Sequence, residues 1–167
     1  MITMAIDASS KSTGIAIFNK QELVHYQLIA AAGDDAFARI KKMVAEIKNI
    51  YETWNVTNVI MEDVLPEDVN HNQNVFKILH YLQALTVLML HGYNQKVEFY
   101  TSSEWRKMCG IKTGRGIKRE TLKAADMQFV KDNYNIEVND DIADAICIGY
   151  AYTKPVTAIN FNGFEFR

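Results

Sequence analysis

Apolar runs in the first thirty residues are separated by short polar turns, a pattern typical of β-strands joined in hairpins. Residues 1–6 form an apolar run that ends on Asp7, and Gly14 opens a second run over residues 15–18. Residues 22–30 continue the pattern as a third strand. The sequence therefore predicts three antiparallel strands, with Asp7 at the point where a buried strand ends.

After residue 30, the pattern of apolar positions changes to one that predicts helices alternating with single strands. Residues 37–54 carry apolar positions three and four apart, residues 56–61 form a short apolar strand that ends on Glu62, and residues 96–100 form a fifth strand. Further helices are predicted over residues 75–91, 103–109, 118–134 and 140–152. This order predicts an α/β protein: a mixed five-stranded sheet, three strands antiparallel and two parallel, with helices on both faces.

Domain organisation follows from length and from Pro155, which ends the last predicted helix. A chain of 167 residues suits a single domain, predicted here over residues 1–154. Residues 155–167 form a C-terminal tail whose structure the pattern does not decide.

The segment of residues 74–91 differs from the other helices because it is apolar nearly all round. A helix of this kind is buried on two sides. We therefore expect one side to pack on the sheet and the other on a second copy of the chain.

Charge is close to balanced overall but unevenly placed. The net charge is −2, yet residues 106–123 contain seven basic side chains and one acid, while residues 137–144 contain four acids and no base. This distribution predicts a basic patch facing a polyanion, beside an acidic pocket. The two cysteines lack metal-ligand spacing, and no stretch is long enough to span a membrane, so a reducing cytoplasm is expected.

Four acids are the candidate catalytic residues. Asp7 and Glu62 end two strands whose carboxyl ends we expect to meet at one sheet edge, and Asp141 and Asp144 share one face of a helix. Such a cluster, with no obvious basic partner, requires a neutralising cation, and oxygen ligands suit Mg²⁺ or Mn²⁺. Two such ions are the arrangement used in phosphodiester hydrolysis. None of the four histidines has triad or zinc spacing, and His71 is the one nearest a candidate acid in the chain.

Three short motifs carry a family resemblance. They are IDASSKSTG at residues 6–14, IMEDVL at 60–65 and DIADA at 141–145. With them the chain resembles the RuvC-type Holliday junction resolvases of the ribonuclease H-like superfamily, in the small form carried by bacteriophages. The resemblance implies a homodimeric endonuclease that cuts four-way DNA junctions, with the four acids as metal ligands and the 74–91 helix as the dimer interface. No small-molecule substrate is implied.

The chain departs from the family's pattern at two places. Ala8 and Ser9 stand where members often have Pro-Gly, and Leu65 stands where cellular members carry an aromatic residue. Leu65 is thus the candidate for contact with the junction centre. The basic segment and the first turn supply candidate phosphate contacts, predicted as Lys11, Lys107, Lys112, Arg115, Lys118 and Arg119.

Three other functions fit parts of the sequence. A ribonuclease H-like RNA-processing nuclease would use a similar set of acids. The segment of residues 5–18 also resembles the phosphate loop of sugar kinases and actin-like ATPases, although the second phosphate loop and the adenosine motif are missing. A protein that binds DNA structure without cutting it is the third alternative.

Overall fold

The elements follow the predicted order. The computed structural model describes residues 1–9, 11–33, 35–66 and 72–154, so the tail of residues 155–167 and His71 lie outside the described residues. The strands are β1 (Ile2–Ala8), β2 (Ser12–Asn19), β3 (Glu22–Ala30), β4 (Asn58–Asp63) and β5 (Val97–Thr101). The helices are α1 (Ala36–Thr53), α2 (Gln73–His91), α3 (Ser102–Met108), α4 (Arg119–Tyr134) and α5 (Asp140–Thr153).

The five described strands form one mixed sheet in the order β3-β2-β1-β4-β5. β2 pairs antiparallel with both β1 and β3, whereas β4 runs parallel to β1 and β5 parallel to β4. The predicted α/β class and strand directions are confirmed. Because β1 and β4 are neighbours in the middle of the sheet, their carboxyl ends lie at the centre of one edge.

Helices cover both faces, also as predicted. Along β1, Met4 and Ile6 belong to the core under α1 and α2, while Ala5 belongs to the core under α3, α4 and α5. Small residues let α5 lie close to the sheet. A Cβ added at Gly149 would lie 2.3 Å from Phe18 Cε2 and 3.1 Å from Ala5 Cβ, so only glycine fits at this crossing.

Helix α2 buries one apolar face and exposes the other. Leu79, Leu82 and Leu90 are buried in the core, whereas Leu85 and Leu88 on the far side are 42% and 68% exposed. The expected packing of one side on the sheet is confirmed. That a second copy of the chain covers the other side stays a prediction. Among the described helices, none combines the length and hydrophobicity that crossing a membrane requires.

Candidate active site

Strand register brings Asp7 and Glu62 together. Ile6 of β1 is paired with Met61 of the parallel strand β4, so the next residues, Asp7 and Glu62, are neighbours at the same edge of the sheet. Asp7 is only 8% exposed, and Glu62 is half-buried. The predicted meeting of these two acids is therefore confirmed.

Helix α5 brings two more acids to this edge. The side chain of Asn139 accepts a hydrogen bond from Ile142 N at 3.0 Å and begins the helix, which places Asp141 and Asp144 one turn apart. Gly14 of β2 lies directly under this first turn. A Cβ there would be 2.0 Å from the Asp141 carbonyl oxygen, so the close approach of α5 depends on glycine.

Three of the four predicted acids form a tight cluster. Carboxylate oxygens of Asp7, Glu62 and Asp144 lie within 4.8 Å of one another. Asp141 is half-buried beside them and accepts a hydrogen bond from Oγ of Ser12, the first residue of β2. All four acids line one cleft of about 720 Å³.

Burial and mutual repulsion favour the neutral form of two of these acids. The pKa of Asp7 is raised well above its ordinary value by burial and then by the charge of Glu62. The pKa of Asp144 is raised in the same way by burial and by Asp7. Within the described residues, Asp144 Oδ1 is buried and has no hydrogen-bond partner. A cluster of this kind gains stability when a cation occupies it.

The expectation that the acids have no basic partner is wrong. Lys123 of α4 donates a hydrogen bond from Nζ to Asp144 Oδ2, and Arg106 Nη2 of α3 lies 3.7 Å from the same oxygen. Arg106 is also bound by Asp126, with Nε–oxygen distances of 3.0 and 3.1 Å. Both cations belong to the basic segment of residues 106–123, but their side chains point into the protein interior.

These two cations do not neutralise the cluster. Lys123 and Arg106 are outnumbered by the carboxylates beside them, so negative charge is in excess when all of these groups are ionised. The carboxylates are those of Asp7, Glu62, Asp126, Asp140, Asp141 and Asp144. The uncompensated charge and the oxygen ligands both fit a divalent cation.

Two further side chains hold Glu62 and were not predicted from the sequence. Trp105 Nε1 donates to Glu62 Oε2 at 2.8 Å, and Gln83 Nε2 of α2 donates to the Glu62 carbonyl oxygen at 2.7 Å. Trp105 is fully buried, as expected of a core residue, but its N–H is directed at the site. The sequence offered one signal for Gln83, because it is a polar residue on a helix face that is otherwise apolar and buried.

A family model of the crossover junction endodeoxyribonuclease RuvC matches residues 3–152, nearly the whole of the described chain. The chain belongs to the RuvC family. The predicted resemblance is thus confirmed, and the protein is a junction-resolving endodeoxyribonuclease. No match was found among curated protein sequences.

Solved structures agree with RuvC membership at the level of the fold. Thermus thermophilus RuvC in complex with Holliday junction substrate is 11% identical, with a TM-score of 0.71 over 90% of this chain and 91% of that one. Fowlpox virus resolvase with Holliday junction DNA is 17% identical, with a TM-score of 0.56 over 92% and 97%. The yeast mitochondrial resolvase Ydc2 is 13% identical, with a TM-score of 0.58 over 90% and 77%. The predicted ribonuclease H-like fold is confirmed.

The predicted DNA contacts of this RuvC-family chain are all exposed. Lys11 and Arg119 line the acidic cleft. Four others are exposed outside its described lining: Lys107, Lys112, Arg115 and Lys118. Leu65, three residues after Glu62, is 37% exposed. Their contacts with DNA stay predictions.

The turn after Asp7 closes without the family's Pro-Gly. Ser9 N donates to the Ser12 carbonyl oxygen at 2.9 Å, and the two serine hydroxyls lie 3.2 Å apart. Ser12 then reaches Asp141. In this RuvC chain, the serines therefore connect the first motif to the last one.

Proposed function

We propose that this protein resolves four-way DNA junctions by Mg²⁺-dependent hydrolysis of phosphodiester bonds, with Asp7, Glu62, Asp141 and Asp144 as the metal-binding acids. The observation that carries the proposal is the cluster of three carboxylates within 4.8 Å of one another, with Asp141 in the same cleft. RuvC family membership supports the DNA substrate. Forks and flaps are proposed as further substrates because they also present branched duplexes.

The residues fit a pair of Mg²⁺ ions, for which Mn²⁺ would substitute. The unpartnered Asp144 Oδ1 and the excess of carboxylates over the two inward-facing basic side chains support this assignment. When bound, the ions would supply the positive charge that activates the attacking water and stabilises the leaving 3′ oxygen. The four acids would bind and orient the ions, while Lys123 and Arg106 hold Asp144 against the repulsion of Asp7.

A competition binding experiment distinguishes the proposed DNA junction substrate from an RNA substrate. Unlabelled four-way junction, linear duplex of the same sequence and structured RNA would each compete with a labelled junction for the protein in EDTA. We expect the junction to compete at the lowest concentration. Stronger competition by RNA would favour the RNA-processing alternative, and strong binding without cleavage in Mg²⁺ would favour the non-catalytic one.

The basic loop between α3 and α4 is proposed to contact DNA phosphates. Changing Lys112, Arg115 and Lys118 to Glu should weaken junction binding and reduce the slope of log affinity against log salt by about one unit per lost contact. Fluorescence anisotropy over a series of salt concentrations measures both quantities.

A matched variant separates this effect from the change in total charge. Lys20, Lys42 and Lys96 are also exposed, and Lys20 and Lys96 follow β2 and precede β5, at the end of the sheet opposite Asp7 and Glu62. Changing these three to Glu alters the net charge equally, yet we expect it to leave most of the slope in place. Equal effects of the two triple variants would contradict specific contacts by the loop.

A homodimer is proposed through the exposed face of α2, extended by α1. Phe37 is 60% exposed and stacks on Tyr81 at 5.6 Å between ring centroids. A groove of about 360 Å³ beside them is lined by Phe37, Lys41, Val44, Leu85, Leu88 and Met89. A second copy is the occupant that we propose because a junction presents two strands to be cut, which two sites would serve.

Leu88→Glu should convert the dimer to a monomer. Leu88 is 68% exposed in the single chain, so a charge there costs the monomer little but cannot be buried in an apolar interface. Light scattering at micromolar concentration measures the mass. Met127→Glu, at an exposed methionine on α4, is the control that should stay dimeric. A wild-type monomer, or a dimeric Leu88→Glu variant, would contradict the proposed interface.

A bacterial cytoplasm is the proposed location. Cys109 and Cys147 are both free thiols, which supports a reducing compartment.

A further inference from the structure

The N-terminus of α3 is fixed beside Glu62 by strand pairing and by a capping box. Glu62 and Asp63 of β4 pair with Tyr100 and Thr101 of β5, so α3 begins next to the site. Thr101 Oγ1 accepts from Glu104 N at 3.4 Å, and Glu104 Oε2 accepts from Thr101 N at 2.8 Å. This reciprocal cap determines where the following residue, Trp105, lies.

Trp105 donates its one N–H to an acid of the site. The side chain is 0% exposed, and the Nε1–Oε2 distance to Glu62 is 2.8 Å. A buried indole N–H requires some acceptor, and an acceptor that carries charge makes the stronger bond. The bond holds one oxygen of Glu62 and so restricts rotation of its carboxylate.

Arg106 holds the Trp105 ring from the next position in the helix. Its guanidinium carbon lies 4.1 Å from the centroid of that ring. The same guanidinium is bound by Asp126, which is fully buried on α4, and lies 3.7 Å from Asp144. Adjacent residues of α3 therefore contact two acids that come from different elements, β4 and α5.

We infer that Trp105 is a positioning residue, which acts through Glu62 to set the affinity of the site for its divalent cation. The inference rests on the proposed metal-dependent function. Groups that hydrogen-bond to metal ligands commonly change metal affinity by 10- to 100-fold when they are removed. Arg106 supports the same arrangement by fixing the ring and approaching Asp144.

Trp105→Phe removes the N–H and keeps an aromatic ring. We expect the Mg²⁺ concentration for half-saturation to rise about tenfold, both in calorimetric titration without DNA and in junction cleavage, with the cleavage rate at saturating Mg²⁺ changing much less. Two matched variants control for loosening of the core. Trp54→Phe changes the other tryptophan, which stacks on His25, and Ile148→Val removes a methyl group from the same core as Trp105.

The wild-type protein provides a second measurement that needs no Trp105 variant. It contains two tryptophans, so its ¹H–¹⁵N spectrum has two indole signals. The signal that remains in the spectrum of Trp54→Phe belongs to Trp105. Mg²⁺ without DNA should shift the Trp105 indole signal at the same concentration that saturates the calorimetric titration. A Trp105 signal that stays in place while Mg²⁺ binds would overturn the inference.

The outcomes distinguish this inference from the proposed function. If the wild type binds no Mg²⁺, both are overturned. If the wild type binds Mg²⁺ and Trp105→Phe has the same half-saturation, only the positioning role is overturned. A rise in half-saturation that Ile148→Val reproduces would also overturn it, because loosening of the core would then be sufficient.

Discussion

Asp144→Asn should reduce Mg²⁺-dependent junction cleavage by about three orders of magnitude. The amide keeps the shape of the side chain but removes a negative charge from the proposed metal cluster, where Asp144 lies with Asp7 and Glu62. Stabilisation of the transition state by metal ions contributes several kcal/mol, and about 1.4 kcal/mol changes a rate tenfold. Single-turnover cleavage in Mg²⁺ measures the loss.

Junction binding and folding should survive the same substitution. Burial already raises the pKa of Asp144, and an amide oxygen at that position still accepts the hydrogen bond that Lys123 donates, so we expect the fold to tolerate the change. A gel shift in EDTA on the same preparation measures binding, which should be unchanged or tighter because one charge facing the phosphates is lost. Asp63→Asn, at the residue next to Glu62, is the control and should cleave within a few-fold of wild type. Wild-type cleavage by Asp144→Asn would contradict the metal assignment.

Gly14→Ala is expected to reduce both stability and cleavage, although residue 14 is not one of the acids. The new methyl group would lie 2.0 Å from the Asp141 carbonyl oxygen, so the first turn of α5 must move away from β2. Overpacking typically destabilises by about 1–3 kcal/mol, and displacing catalytic groups by about 1 Å can reduce a rate about a hundredfold.

Thermal unfolding and cleavage of one Gly14→Ala preparation measure the two effects together. The midpoint should fall by roughly 2–12 °C for a domain of this size. Gly92→Ala is the control, because Gly92 has a helical φ of −60° at the end of α2 and an added Cβ, 3.1 Å from the Met89 carbonyl oxygen, requires a shift of only a few tenths of an ångström. A Gly14→Ala variant with wild-type midpoint and rate would show that α5 does not depend on this close approach.

The sheet and the acids could be predicted from the sequence because both depend on local order along the chain. Apolar runs ending on Asp7 and Glu62 identify two strands, and parallel pairing then determines where their carboxylates meet. The spacing of Asp141 and Asp144 identifies one helix face in the same way. These features need no knowledge of distant contacts beyond the direction of the strands.

The basic partners of the acids could not be predicted in this way. Arg106 and Lys123 look like members of the exposed basic segment, and only packing of α3 and α4 against α5 turns them inward. One signal was present: Asp126 lies three residues after Lys123 and four before Val130, which places a charge on the buried face of α4. Such a charge indicates a buried ion pair.

The role of Trp105 was hidden for a different reason. A tryptophan is ordinarily expected in the core, where Trp105 does lie, but the direction of its indole N–H depends on how α3 follows β5. The homodimer and the bacteriophage origin stay predictions from the resemblance.

Cleavage of an end-labelled four-way junction tests most directly the claim that this protein is a metal-dependent junction nuclease. Junction and linear duplex of the same arm sequence are incubated with the wild-type protein in Mg²⁺ and, separately, in EDTA. We expect cuts in the junction alone and in Mg²⁺ alone, with Mn²⁺ restoring cleavage after EDTA treatment. Equal cleavage of the linear duplex, or junction cleavage that persists in EDTA, would contradict it.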